Sequence, residues 1–236
     1  RTRLSLDRSS PLDALTWLSL PEQRLLELTA GEVFHSGLGE LSRLREIFAT
    51  CPHDVSLYKL AAQWRRIADE QAFVGRAGHA GDDLGSRIIA SRLARDVMRI
   101  CFLLEGRYPP YPKWFGSAFA RLAGAKILTP LLEAMIKAET WEQRQKPLAQ
   151  AYLVAAEMHE PAGFLLSVTP RIGPYFDRPF LTINAEEISN SLAADISDPL
   201  LRGRPVIGSI DQITDATPPI VAPDRARQLI STLHRD

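Results

Sequence analysis

Cysteine is scarce: Cys51 and Cys101 are the two in 236 residues. They show no paired-motif spacing, which excludes a disulfide framework and fits a reducing compartment. Cys101 falls in an apolar helical pattern and reads as a small core residue. Long apolar runs are also missing. None reaches the ~20 residues a membrane span needs, and no signal-peptide pattern opens the chain. An excess of either charge is missing too, since 28 Lys and Arg face 28 Asp and Glu. A whole-surface attraction to nucleic acid is therefore not implied. The five histidines, His35, His53, His79, His159 and His234, do not pair at a metal-ligand spacing on a helix, so no metal site is expected. There is no Gly-x-Ser-x-Gly elbow, no internal repeat and no low-complexity segment. These absences point to a cytoplasmic protein with no membrane and no nucleic-acid partner.

What remains is ordinary globular material, 45% hydrophobic and 24% charged. A chain of this length buries roughly 70–75% of its unfolded surface without staples. The pattern is mainly α. Ser19 to Glu32 reads as a short helix, with Ser19 and Glu22 at capping-box spacing. Residues 32–35 form a brief strand candidate. Leu41 to Ala49 restarts a helix with Leu41, Leu44 and Phe48 on one face. Asp54 to about Phe73 carries the stripe Leu57, Leu60, Ala61, Trp64 and Ile67. Gly75, Gly78 and Gly81 then punctuate a loop. A long helix runs from Asp82 or Asp83 to about Glu105, on the stripe Ile89, Leu93, Val97, Ile100 and Leu104.

Tyr108 to Pro112 must be extended, because proline forbids helix there. Helices are expected over 113–122, 131–138 and 141–158, the last opened by Thr140 and Gln143. Residues 161–178 are irregular and 180–183 a short strand. Asn184 caps a helix through Ile196, turns fill 199–223, and 224–234 is a final helix. The expectation is a helical bundle-like domain with a few short strands near the N-terminus and around 180–183.

Two apparent motifs fail on spacing. Gly37-Leu38-Gly39 follows the strand candidate, but the third glycine of a dinucleotide loop is absent and no second strand follows. Gly85-Ser86 followed by Asp96 resembles a nucleotidyl-transfer pattern, but the partner position after Asp96 is Met98. That chemistry needs two carboxylates on one strand to hold magnesium. Arg92, Arg95 and Arg99 share a helix face and read as a solvated face with Asp96 as a partner, in preference to a phosphate stripe.

Two stretches are better candidates. Glu70 to Arg87 gathers Glu70, Arg76, Asp82, Asp83, Ser86 and Arg87 among glycines that let a ligand approach the backbone. Asp82 and Asp83 can accept hydrogen bonds from a hydroxyl or amine, or act as a base. The plainer reading is a loop with an Asp helix cap. Tyr108 to Phe115 sets Tyr111, Lys113 and Trp114 around three prolines, as a ligand wall or as a stiff connector whose rings fill the core.

Six stretches together resemble one family. They are LLELTAGEVFH at 25–35, AAQWRRI at 61–67, FVGR at 73–76, GDDLGSR at 81–87, PYPKWFGSAF at 110–119 and IGSIDQ at 207–212. As a set they resemble the bacterial domain of unknown function 4037 family, over nearly the whole chain. The resemblance implies the helical C-terminal part of a nucleotidyltransferase-like protein. Residues 1–50 would be the tail of an α/β lobe and 51–236 the helical domain. His35-Ser36 departs from the acidic residue such a lobe would carry there. The chain opens on Arg1, and the rest of the lobe is expected upstream.

The implied function is acceptor binding for nucleotidyl transfer from a magnesium-bound nucleoside triphosphate to a hydroxyl or amine. Magnesium and nucleotide would belong to the missing lobe, which is the expected partner together with a small-molecule acceptor. Asp82, Asp83 and Glu70 would supply base or acceptor contacts, and Arg76, Arg87 and Lys113 would face phosphates. Ser86, Tyr111 and Trp114 complete the expected substrate contacts. The alternative is a non-catalytic interaction module with a degenerate lobe, in which Arg76 and Asp83 pair with each other. The first reading requires Arg76, Asp82, Asp83 and Lys113 to meet around one solvent-reachable hollow.

Overall fold

The computed structural model describes residues 12–234 except 36 and 38. Residues 1–11 of the expected α/β tail, and Ser36 and Leu38 of the glycine turn, lie outside the described residues.

The fold is mainly α. Helix α1 (Ala14–Ser19) starts where the Asp13 carboxylate accepts from the Thr16 N–H at 2.7 Å, and α2 (Glu22–Thr29) follows. The helix expected over 19–32 is α2, shorter at both ends, and α1 ahead of it is an additional element. Pro21 pushes the preceding Leu20 into extended backbone, which ends α1. No strand forms at residues 32–35. A four-residue run with no strand beside it among the described residues has no ladder partner there for its N–H and C=O groups. Helix α3 (Glu40–Ile47) buries none of its own residues, and Leu41 and Leu44 stay half-exposed. Phe48, just past its end, is the residue that reaches the core.

The body is built on α4 (His53–Glu70) and α6 (Asp83–Leu104), which pack against each other. Between them lies α5 (Phe73–His79), where the sequence reading has only a glycine loop. Gly75 and Gly78 are inside this helix, and the reason is packing. A Cβ on Gly75 would lie 2.4 Å from Phe180 Cδ1, and one on Gly78 2.4 Å from Trp141 Cβ. The glycines admit two aromatic rings to the helix surface, not a ligand. Gly81, at φ +86°, makes the turn into α6.

Helix α7 (Pro112–Phe119) starts on proline, and α8 (Ala125–Lys137) begins earlier than its sequence pattern suggests and accommodates Pro130. Thr140 caps α9 (Trp141–Glu157) by accepting from Gln143 N–H at 3.3 Å. Helices α8 and α9 pair, and both pack on α6. Strands β1 (Ile172–Tyr175) and β2 (Arg178–Ile183) form an antiparallel hairpin with Ile172 opposite Ile183. β1 lies within a stretch that reads as irregular, because Gly173 and Pro174 mask it. Helix α10 (Ala185–Ala194) lies along α4. Three short elements follow: α11 (Ile210–Thr214), α12 (Pro218–Val221) and α13 (Pro223–Leu233), the last packing on α1.

One core runs through the molecule, with Trp64, Tyr58, Ile67, Leu93, Ile100 and Tyr152 among its fully buried side chains. Each apolar side chain of this size contributes about 1.5–3 kcal/mol on burial. His159 belongs to it: Trp64 Nε1–H donates to His159 Nε2 at 3.1 Å, and His159 Nδ1 lies 3.0 Å from the Ala155 carbonyl. The accepting Nε2 places the proton on Nδ1. Burial pushes the ring's pKa down to about 4, so it is neutral.

Candidate functional site

The 70–87 stretch is organised as internal braces. Asp82 is the N-cap of α6 and accepts from Gly85 N–H at 2.8 Å. Asp83 accepts from Arg87 at 2.6 Å and from Arg144 at 2.8 Å, and these hydrogen bonds hold its carboxyl below the usual range. Ser86 is fully buried and accepts from Arg144 Nη1 at 2.6 Å. Arg87 also donates to the Glu139 carbonyl at 2.9 Å. Glu70 pairs with Arg92, and Arg76 stands 5.4 Å above the Phe73 ring centroid. Arg76 does not pair with Asp83; buried Arg144, on α9, takes that role.

Arg144 therefore locks α9 to the first turn of α6. Arg144→Met removes the guanidinium that Ser86 and Asp83 use. We expect a loss of about 2 kcal/mol in unfolding free energy, read from the urea midpoint.

The other stretch sits at the opposite end of α6. Phe115 packs on Phe102, with Arg95 and Arg99 over its ring at 4.6 and 5.5 Å. Arg99 is sixteen residues beyond Asp83, about 24 Å along the helix axis at 1.5 Å per residue. Lys113 lies 5.0 Å over the half-exposed Trp114 ring, and Tyr111 N–H donates to Gln23 Oε1 at 2.8 Å. Arg76, Asp82 and Asp83 thus gather near one end of α6 and Lys113 near the other. The structure does not bring these four around one hollow.

Polar chemistry converges elsewhere. Glu22, at the start of α2, is buried and pairs with buried Lys59 of α4. Arg99 Nη1 approaches the second Glu22 oxygen at 3.3 Å. Glu22 N–H donates to Asp211 Oδ2 at 2.8 Å. Asp215 Oδ1 accepts from Arg99 at 2.8 Å and from Arg95 at 2.7 Å. Three carboxylates and three cations thereby join α2, α4, α6 and the 211–215 segment. The arginine row that reads as a solvated face is here partly internal, with Arg99 buried.

The electrostatics follow from the pairing. Burial opposes the Glu22 charge, but Lys59 and Arg99 outweigh it and hold its pKa below the ordinary value. Burial likewise opposes the Lys59 charge, and Glu22 holds it above the ordinary value. Asp211 lacks a full counter-charge. Burial and the neighbouring Glu22 push it up to about 6.

A cavity of about 460 Å³ opens onto this cluster. That volume suits a small molecule. Lys59 and Glu22 form its buried inner wall, and Thr50, His53 and Arg107 its exposed rim. Tyr108, Phe102 and Phe164 supply apolar surface, with His53 stacked on Phe164 at 5.2 Å. Cys51 and Ser56 also line it, and burial pushes the Cys51 thiol up, so the sulfur stays protonated. The first turn of α4, which Pro52 leaves without a side-chain cap, forms part of the lining. A second hollow of about 20 Å³, beside Arg95, Arg99, Tyr111 and Asp215, holds one water at most.

Sequence reasoning missed Glu22, Lys59, Asp211, Asp215 and Arg144. One signal was available. Lys59 stands in a run, Val55 to Trp64, that is buried at every position. Val55, Ser56, Ala62 and Gln63, its helical neighbours, offer no acid. A lysine so placed needs a distant partner.

No curated protein and no solved structure matches the chain. A family model described as a domain of unknown function, DUF4037, matches residues 17–115. The matched segment runs from α1 into α7, so it includes Glu22, Lys59 and Arg99 but not the 207–212 stretch. Over residues 17–115, less than half of its length, the chain is thus similar to the DUF4037 family.

Proposed function

We propose that this chain is the acceptor-binding helical part of a nucleotidyltransferase-like protein, and that the acceptor occupies the cavity walled by Glu22 and Lys59. The observation that carries the reading is the 460 Å³ cavity ending on a buried ion pair. An apolar chamber with a few fixed polar groups at its base orients a small molecule. The nucleotidyltransferase element rests on the family resemblance, which is an analogy of fold and sequence.

The described residues are a poor fit for magnesium. Glu22 and Asp215 are already engaged by Lys59, Arg95 and Arg99, and Asp211 is bound to the Glu22 backbone. In this reading magnesium and the nucleoside triphosphate are held by a preceding lobe. This chain's own residues bind the acceptor, exclude water and present its hydroxyl or amine outward.

A second reading is a non-catalytic binding module in the cytoplasm. It is favoured by the internal bracing of Asp82, Asp83 and Ser86, which leaves no catalytic constellation in the 70–87 stretch.

The test is a transfer assay on the protein that contains this chain. Magnesium, a nucleoside triphosphate and small hydroxyl or amine compounds are supplied, and products are read by mass spectrometry. The reading expects a nucleotide adduct, lost in Thr50→Trp, whose indole would fill the cavity mouth. Full transfer by Thr50→Trp would reject the cavity. Cavity binding without nucleotide binding would favour the second reading.

A further inference from the structure

Resting on that reading, we propose that the cavity takes a ligand whose apolar body ends in an anionic group, a carboxylate or a phosphate. The charge balance of the lining points this way. Lys59 and Arg107 are the cations and Glu22 the sole carboxylate among the lining residues. Lys59 gives one hydrogen bond to Glu22, and an ammonium has three to give. The residue is buried, so its remaining N–H groups meet solvent only through the cavity that it lines. An oxyanion in the cavity satisfies them.

Two further features add to this. Ser56 places a hydroxyl on the same wall, and the uncapped first turn of α4 directs the positive end of its dipole at the cavity. Opposite polarity at the other walls completes the fit. Tyr108 and Phe164 are apolar surfaces, and the Tyr108 hydroxyl is already spent on the Phe48 carbonyl at 3.0 Å. A ligand meeting these rings must present hydrocarbon. A ligand whose inward end is cationic would instead face Lys59 at the base after passing Arg107 at the mouth, and is disfavoured by repulsion.

Saturation-transfer NMR on the full chain tests this with benzoate, phenyl phosphate and benzamide as probes. Benzoate or phenyl phosphate is expected to bind, and benzamide about tenfold more weakly, as loss of a charge-assisted hydrogen bond requires. Comparison of the two anions identifies which oxyanion fits. Arg107→Ala, at an exposed position, should weaken both anions without altering the fold, checked by circular dichroism. Thr50→Trp should abolish binding. Benzamide binding as well as the anions, or alone, overturns the anionic ligand and leaves the cavity reading intact if Thr50→Trp still blocks it. Anion binding that persists in Thr50→Trp overturns both. No binding by any probe at millimolar concentration overturns the proposal.

Discussion

Glu22→Gln is expected to destabilise the protein by about 3–5 kcal/mol, the range for breaking a buried ion pair by removing one partner. The amide keeps the shape of the carboxyl and removes its charge. Lys59 and Arg99, both buried, then lose the carboxylate that offsets their desolvation. Arg99 retains Asp215, whereas Lys59 has no other ion-pair partner among the described residues. The damage should therefore fall mainly at Lys59, and a double variant, Glu22→Gln with Lys59→Met, should recover part of the loss. Urea unfolding measures this, with a lower midpoint at an unchanged slope. A change under about 1 kcal/mol would mean that the pair behaves like a surface salt bridge.

The second large effect concerns Asp96, and it depends on pH. Its carboxyl is buried on α6, and burial pushes its pKa up to about 6 despite the nearby Arg66 and Arg99. Arg66 Nε is 3.2 Å from Oδ2, but neither carboxyl oxygen has an aligned hydrogen bond among the described residues. The Tyr152 hydroxyl is similarly without a partner, and its pKa is raised by burial and by Asp96. A folded-state pKa above the unfolded value gives stability that is present below about pH 4 and lost as pH rises through about 6. Asp96→Asn does not titrate. Its stability relative to wild type should therefore improve by on the order of 3 kcal/mol between about pH 4 and pH 7.

His159 titrates in the same window with opposite sign. Its pKa is lowered to about 4, so its contribution is full above the ordinary histidine value and falls away on acidification. Because both proteins carry His159, its effect cancels in the difference between them. A difference that stays flat with pH would show that Asp96 is ionised at ordinary carboxylate pH.

The long helices were readable because their local signals agree. On α6, Leu93, Val97, Ile100 and Leu104 repeat at helical spacing and are buried as the period requires. On α9, Thr140 and Gln143 announce the first turn. α5 was not readable, because its glycines serve a packing role that appears only when Phe180 and Trp141, more than sixty residues away, arrive. The strand expected at 32–35 had local propensity but no partner among the described residues, while the 180–183 strand had one in Ile172 to Tyr175.

The candidate site was less legible than the fold. The motif-like residues Asp82, Asp83 and Ser86 attracted attention through local density, and the structure assigns each a bracing role. The ionic cluster is assembled from distant segments. Glu22 meets Lys59 across 37 positions and Asp211 across 189. Neither pairing has a periodic signature, so no window of sequence contains it. A lysine inside a fully buried helical run was the one visible trace.

The most direct test of this account is a ligand-observed NMR screen of small acidic, neutral and basic compounds against three proteins: wild type, Thr50→Trp, and the double variant Asp82→Asn with Asp83→Asn. If binding belongs to the cavity at Lys59, hits of the wild type vanish with Thr50→Trp and survive the double variant. Hits that vanish with the double variant and survive Thr50→Trp would return the site to the 70–87 stretch and contradict the account.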